Sequence, residues 1–202
     1  RLGLVGSEMC IRDRINVDQV YSEYGLTGKD IHIAVLDTGI DTDHIDLSDS
    51  VESQACFADF CPNGAEYAED DNGHGTHVSG IISSAGISSS AGVARNTRIH
   101  AIKVLDSSNG FSSSSIIIEA LDHIINNLPQ VNLVNMSLGT FDRFESFCDQ
   151  QNIYTRAFAT AINTLRDRGT LSFVASMNNA SSNSISAPAC ISNAISVGAV
   201  WD

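Results

Sequence analysis

Ile31-His32-Ile33-Ala34-Val35-Leu36-Asp37 is a short, β-branched, largely apolar run that stops at the turn pair Thr38-Gly39. A run of this length bounded by a turn reads as a buried strand. Outward from it the pattern alternates. Residues 51–72 read as a loop region, with Cys56, Cys61, Pro62, Gly64 and the acids Glu66, Glu69, Asp70 and Asp71. Residues 74–84 read as a helix opening on Gly73-His74-Gly75-Thr76, and residues 98–105 as a second strand. Ile117, Leu121, Ile124, Ile125 and Leu128 recur at helical spacing behind a serine run that supplies an N-cap. Residues 131–137 read as a third strand, and 153–168 as a helix closed by Gly169 at its C′ position. Residues 171–175 and 194–200 read as further strands. Strands alternating with helices predict an α/β fold: three layers, with a mostly parallel sheet flanked by helices. Sites in such sheets gather at the carboxyl ends of the strands, where Asp37 stands.

The composition narrows the function. The chain has 202 residues, 43% of them hydrophobic, which suffices for one domain with a core. Only 17% are charged, with 24 acidic against 11 basic residues and a net charge of −13. That excludes nucleic-acid binding through a basic stripe and attachment to anionic lipid. No apolar run approaches the ~18 residues of a membrane span.

Two strings carry chemistry: Val35-Leu36-Asp37-Thr38-Gly39-Ile40-Asp41 and Asn72-Gly73-His74-Gly75-Thr76-His77-Val78-Ser79-Gly80. Acyl transfer needs an imidazole that accepts a proton near neutral pH, and a buried carboxylate that fixes its tautomer. Asp37 at a strand end suits the carboxylate. His74 at a glycine-flanked helix start suits the base, with Gly73 and Gly75 leaving room for a peptide backbone. His77 follows His74 by three residues without an intervening Glu, so the pair lacks the zincin spacing, and packing or a polar network is expected of it.

Both strings resemble the signatures of the subtilisin-like serine peptidases. The likeness continues through Lys103-Val104-Leu105, Val134-Asn135-Met136-Ser137-Leu138-Gly139, Val174-Ala175-Ser176-Met177-Asn178 and Ala194-Ile195-Ser196-Val197-Gly198-Ala199-Val200. Asp before His is the order for which subtilisin is the reference case. The resemblance implies a secreted or periplasmic serine endopeptidase acting on polypeptide, expected to be a monomer, with a propeptide of its own upstream. It implies Asp37 as the orienting carboxylate, His74 as the base and Asn178 as the oxyanion donor. It also implies Ser137, Leu138 and Gly139 as a substrate-pairing edge, and Ala175 and Ser176 as a wall of the primary pocket. Met177 stands where the family usually has Gly, and Asn179 leaves a one-residue shift of the oxyanion donor open.

Many members bind calcium, and Asp46 matches a family ligand position. The loop Ala85-Gly86-Ile87-Ser88-Ser89-Ser90, however, offers no Asn or Asp where a hard cation wants six or more oxygens. No metal ligand is therefore assigned, and no cofactor is required. Cys10 aside, four cysteines allow three pairings. Cys56 with Cys61 and Cys148 with Cys190 is the hypothesis adopted, free thiols being the alternative. Paired cysteines would imply an oxidising compartment.

The family's nucleophile lies in a Gly-Thr-Ser-x-Ala-x-Pro string. Here Gly75-Thr76, Gly139-Thr140 and Gly169-Thr170 are followed by His, Phe and Leu. The serine is thus expected beyond residue 202, and residues 15–202 are read as the N-terminal and central part of the peptidase domain. On its own that part should be inactive and expose apolar surface. Residues 1–14 read as a sequencing-adapter or cloning scar, because Met9-Cys10-Ile11-Arg12-Asp13-Arg14 resembles a translated transposase adapter.

Three other readings compete. A catalytically dead subtilisin-like binding module would also lack the serine. An aspartic peptidase shares Asp37-Thr38-Gly39 but needs a second such Asp and a β-rich chain. A nucleotide-binding domain is disfavoured because Asp70 and Asp71 precede Gly73-His74-Gly75 and would repel phosphate.

Overall fold

The structure, a computed structural model, describes residues 14–199. The scar reading of residues 1–14 therefore falls, Arg14 apart, outside the described residues. Elements follow in the order α1 (Val17–Tyr24), β1 (His32–Asp37), β2 (Val51–Cys56), α2 (His74–Ser83), β3 (Arg98–Lys103) and α3 (Ser114–Asn127). Then come β4 (Leu133–Met136), β5 (Arg143–Phe144), α4 (Ile153–Asp167), β6 (Leu171–Ala175), β7 (Ile185–Ser186) and β8 (Ile195–Val197). Six strands form one sheet in the order β2-β3-β1-β4-β6-β8. Every pairing in it is parallel, and β5 and β7 make a separate antiparallel pair.

Side-chain alternation along β1 divides the core. Ala34 and Leu36 face one layer with Ile102, Val134, Met136 and Val174. That layer is closed by Ile117, Leu121 and Ile124 of α3 and Phe158, Ile162 and Leu165 of α4. Fully burying each of these larger side chains contributes about 1.5–3 kcal/mol. Ile33 and Val35 face the other layer with Ile40, Leu47, Ile99 and Ala101, against Val78 and Ile82 of α2. The result is the expected three-layer α/β arrangement. On the α2 side an apolar trough lined by Ile33, Ile82, Val93, Leu133 and Phe173 stays open. Among the described residues no helix is long and apolar enough to cross a membrane.

Local chemistry sets the helix ends. Ser113 caps α3 by accepting from the Ser115 N–H. Asn152 and Thr155 form a reciprocal capping box at the start of α4. Gly169, at φ 92°, ends α4 in the left-handed region.

Residues 51–56 correct the loop reading. Val51-Glu52-Ser53-Gln54-Ala55-Cys56 is the edge strand β2, paired in parallel with β3. Its polar, half-exposed sequence has no hydrophobic period because only one of its two sides pairs. It is formed by the ladder on β3 rather than by propensity of its own.

His100, on β3, is 1% exposed. Its Nε2 lies 3.0 Å from His32 Nδ1 and its Nδ1 lies 2.6 Å from the Ser53 hydroxyl. Burial, reinforced by His32, lowers its pKa from 6.5 to about 4. A buried neutral histidine stabilises the fold fully above its unfolded pKa. That stability is lost as pH falls, because between the two values only the unfolded chain takes up the proton. Urea melts should lose stability between pH about 6.5 and about 4, with about 3 kcal/mol of the loss due to His100, and His100→Gln should lessen the slope by that share. An unchanged slope in the variant would contradict this.

Candidate active site

Asp37 is the last residue of β1 and His74 the first of α2. His74 Nδ1 lies 2.6 Å from Asp37 Oδ1, which also accepts the Thr38 N–H at 2.7 Å. Asp37 is fully buried, whereas the His74 side chain is 35% exposed. One face of the imidazole pair is thus shielded from water and the other is open to a ligand. Burial pushes the Asp37 carboxyl above its ordinary value, and the hydrogen bonds from His74 and Thr38 offset only part of that. Asp37 Oδ2 is buried without a hydrogen-bond partner.

Gly75 brings the two elements this close. A Cβ there would stand 2.1 Å from the Gly39 carbonyl oxygen and 3.1 Å from Asp37 Cβ. Any side chain would push the first turn of α2 off the end of β1.

Asp70 ties the same junction together. Its Oδ1 accepts the Thr38 hydroxyl at 2.8 Å and the N–H groups of Asn72 and Gly73. Its Oδ2 accepts the Thr76 N–H at 2.9 Å and the Thr76 hydroxyl at 2.5 Å. Thr38 Oγ1 in turn accepts the Gly75 N–H at 2.9 Å. The carboxylate therefore clamps the residue after Asp37 to the residues flanking His74. Burial works against its charge, but donors from Gly73, Thr76 and Asn72 prevail and bring its pKa down to about 2.

Lys103, opposite Asp37 in the β1–β3 register, is fully buried. Its ammonium donates to the Thr38 carbonyl and to Asp71 Oδ1, each at 2.6 Å. Sequence reasoning gave Asp70, Asp71 and Lys103 no place in the active site. The acidic loop was visible, but a cluster of carboxylates does not announce which of them turns inward.

The other predicted residues follow β4 and β6, the next two strands along from β1. Asp37, residues 137–139 and residues 175–178 thus lie at the carboxyl ends of three adjacent strands. Ser137 Oγ accepts from Asn135 Nδ2 at 3.0 Å, and Leu138 is buried. Ser176 N–H donates to the Val197 carbonyl, linking the end of β6 to β8. Asn178 is exposed, while the neighbouring Asn179 Nδ2 reaches Ser186 Oγ at 3.5 Å. Met177 adopts φ 73° and lies over Gly139, where a Cβ would come within 2.7 Å of Met177 Cγ. His77 Nε2 is buried with no hydrogen-bond partner among the described residues. Among the described residues no three His, Cys, Asp or Glu side chains converge as metal ligands. Disulfides join Cys56 to Cys61 and Cys148 to Cys190.

Comparison with known proteins gives the same architecture a lineage. Residues 28–202 match the sequence profile of the subtilase family, peptidase S8. The alkaline protease of Alkalihalobacillus alcalophilus is 38% identical over 176 residues, covering 87% of this chain and 40% of that protein. Subtilisin Savinase of Lederbergia lenta is 38% identical over 176 residues, covering 87% of this chain and 57% of that protein. The solved structure of Sphericase superposes with a TM-score of 0.73 at 31% identity, over 92% of this chain and 61% of that one. The chain thus spans about half the length of the relatives it matches. On its profile, its sequence identity and its fold, the chain belongs to the subtilase family.

Proposed function

We propose that these 202 residues bind extended polypeptide in a subtilase cleft and hold two members of an acyl-transfer triad without turning substrate over. The observation that carries this is the Asp37–His74 pair at 2.6 Å, with no serine among the described residues hydrogen-bonded to His74. Peptide pairing is assigned to Ser137, Leu138 and Gly139, where a substrate strand adds through main-chain hydrogen bonds. Ala175 and Ser176 form a wall of the primary pocket, which Met177 narrows by covering Gly139.

A second reading has its own support. Asp37 is a costly residue to bury: among the described residues one of its oxygens has no partner and its only charged partner is an imidazole. That arrangement suits a site in which His74 becomes positively charged during turnover. In this reading a serine from a longer chain attacks the scissile carbonyl. His74 takes its proton and returns it to the leaving amine, Asp37 orients the ring, and Asn178 with backbone N–H groups holds the oxyanion. The longer protein would then be a serine endopeptidase. Two of its relatives in Bacillus subtilis are named for opposite locations, a minor extracellular and a major intracellular protease. The two disulfides favour secretion or the periplasm here, since thiols stay reduced in the cytosol.

The test is a fluorescent peptide incubated with the 202-residue chain and with the product of the gene's continuing reading frame. Binding without cleavage by the first is expected. Cleavage by the second, through a Gly-Thr-Ser string, would establish the enzyme reading. A stop codon after Asp202 would leave the binding module. Cleavage by the 202 residues that disappears in His74→Ala would overturn the proposal.

A further inference from the structure

Asp46 lies in the turn after β1 and is 2% exposed. Its carboxylate is enclosed by donors from one loop. Oδ1 accepts the Ile87 N–H at 2.5 Å and the Ser88 N–H at 3.3 Å. Oδ2 accepts the Ser88 N–H at 3.0 Å, the Ser88 hydroxyl at 2.5 Å, and the Ser89 N–H and hydroxyl at 3.1 Å each. The main chain of Asp46 joins in, its carbonyl accepting the Ala85 N–H at 2.9 Å.

The loop is built to close in this way. Gly86, at φ +82°, reverses the chain against Ala91, which a Cβ at Gly86 would approach to 3.0 Å. Its N–H bonds to Ser84 Oγ, and the Gly92 N–H bonds to the Ser84 carbonyl. Gly92 has no space for a side chain, its Cβ position being 2.6 Å from the Ser83 and Ser84 nitrogens. Three consecutive N–H groups, from Ile87, Ser88 and Ser89, are thereby aimed at one carboxylate, the geometry of an anion-binding nest.

This donor set does not fit calcium. A hard cation needs six or more oxygens with lone pairs directed at it. Here the lone pairs of both Asp46 oxygens are already directed at N–H and O–H groups. The positive ends of those dipoles would face any ion placed in the same position. The loop brings no second carboxylate or carboxamide.

We propose that the loop of residues 85–90 is a protein-built replacement for a structural cation at Asp46. The backbone amides and serine hydroxyls neutralise the carboxylate, and no divalent ion is needed there. The direction of the Asp46 pKa agrees. Burial works against the charge, yet the Ser88, Ile87 and Ser89 donors lower it from 3.8 to about 2.

Thermal unfolding of the protein in calcium chloride and in chelator tests this, together with calorimetric titration of calcium into the folded protein. Coincident midpoints are expected. A cation held at Asp46 and saturated ~100-fold above its Kd would raise the midpoint by about 5–10 °C, and that outcome overturns the proposal. Ser88→Ala with Ser89→Ala should lower the midpoint equally in calcium and in chelator. If Asp46→Asn folds, its midpoint should fall by the same amount in both. A calcium shift present in the wild type and abolished in Asp46→Asn would count against the nest. An equal calcium shift in both would place the ion elsewhere and leave the nest as the neutraliser of Asp46.

Discussion

Asp37→Asn is expected to lower turnover by about 10⁴-fold in a form of this protein that carries the serine, with little change in KM. That scale is set by removal of the equivalent carboxylate in other Asp–His–Ser triads, subtilisin's included. The geometry supplies the reason here. Asp37 Oδ1 accepts from His74 Nδ1 at 2.6 Å, so Nδ1 carries the hydrogen and Nε2 is free to take a proton. An amide can turn its NH₂ toward Nδ1, which forces the hydrogen onto Nε2 and removes the base. It also removes the charge that stabilises the imidazolium during turnover. The site is closed enough for this to matter, since Asp37 is fully buried and water cannot substitute for it. The check is kcat and KM on a peptide ester at neutral pH, where a loss below tenfold would rule out the orienting role. In the 202 residues alone, where no turnover is expected, the same substitution should change nothing.

Asp71→Ala is expected to cost about 3–5 kcal/mol of stability, the usual penalty for stranding one member of a buried ion pair. For a chain of this size that is roughly a 10 °C fall in melting temperature. The Lys103 ammonium has no exposure, and Asp71 is its only carboxylate partner among the described residues. Without Asp71 it keeps the Thr38 carbonyl but loses its ion-pair partner. Lys103→Met should be milder, about 1–3 kcal/mol, because it strands only the Thr38 carbonyl. Asp71, whose side chain is 28% exposed, can then be hydrated. The two melts therefore rank opposite to the burial of the residues replaced. A larger loss in Lys103→Met than in Asp71→Ala would refute the argument. Because Thr38 follows Asp37 directly, both variants should also disturb the His74 ring resonances in an NMR spectrum.

The strand that ends in Asp37 and the helix that starts with His74 were legible because each carries its own local signal. One is an apolar run stopped by Thr38-Gly39, the other a glycine-flanked histidine at the start of a helical segment. The edge strand β2 was not legible, since Val51–Cys56 has no period and exists as a strand only beside β3. Asp70 and Asp71 were indistinguishable in the sequence as two adjacent acids. In the fold one collects five donors around the dyad and the other neutralises a buried lysine.

Residue order and type by themselves determined the α/β alternation, the family and the two chemical groups at the strand and helix ends. These depend on patterns a few residues long, where periodicity and turn chemistry act. Only the tertiary structure decided the orientation of the carboxylates. It turned Asp37 and Asp70 inward to imidazole and amide donors. It also wrapped a loop of small residues around Asp46, where the sequence showed only that this loop lacks Asn and Asp. Which donors meet a buried charge depends on chain segments tens of residues apart, and that pairing has no trace in local sequence.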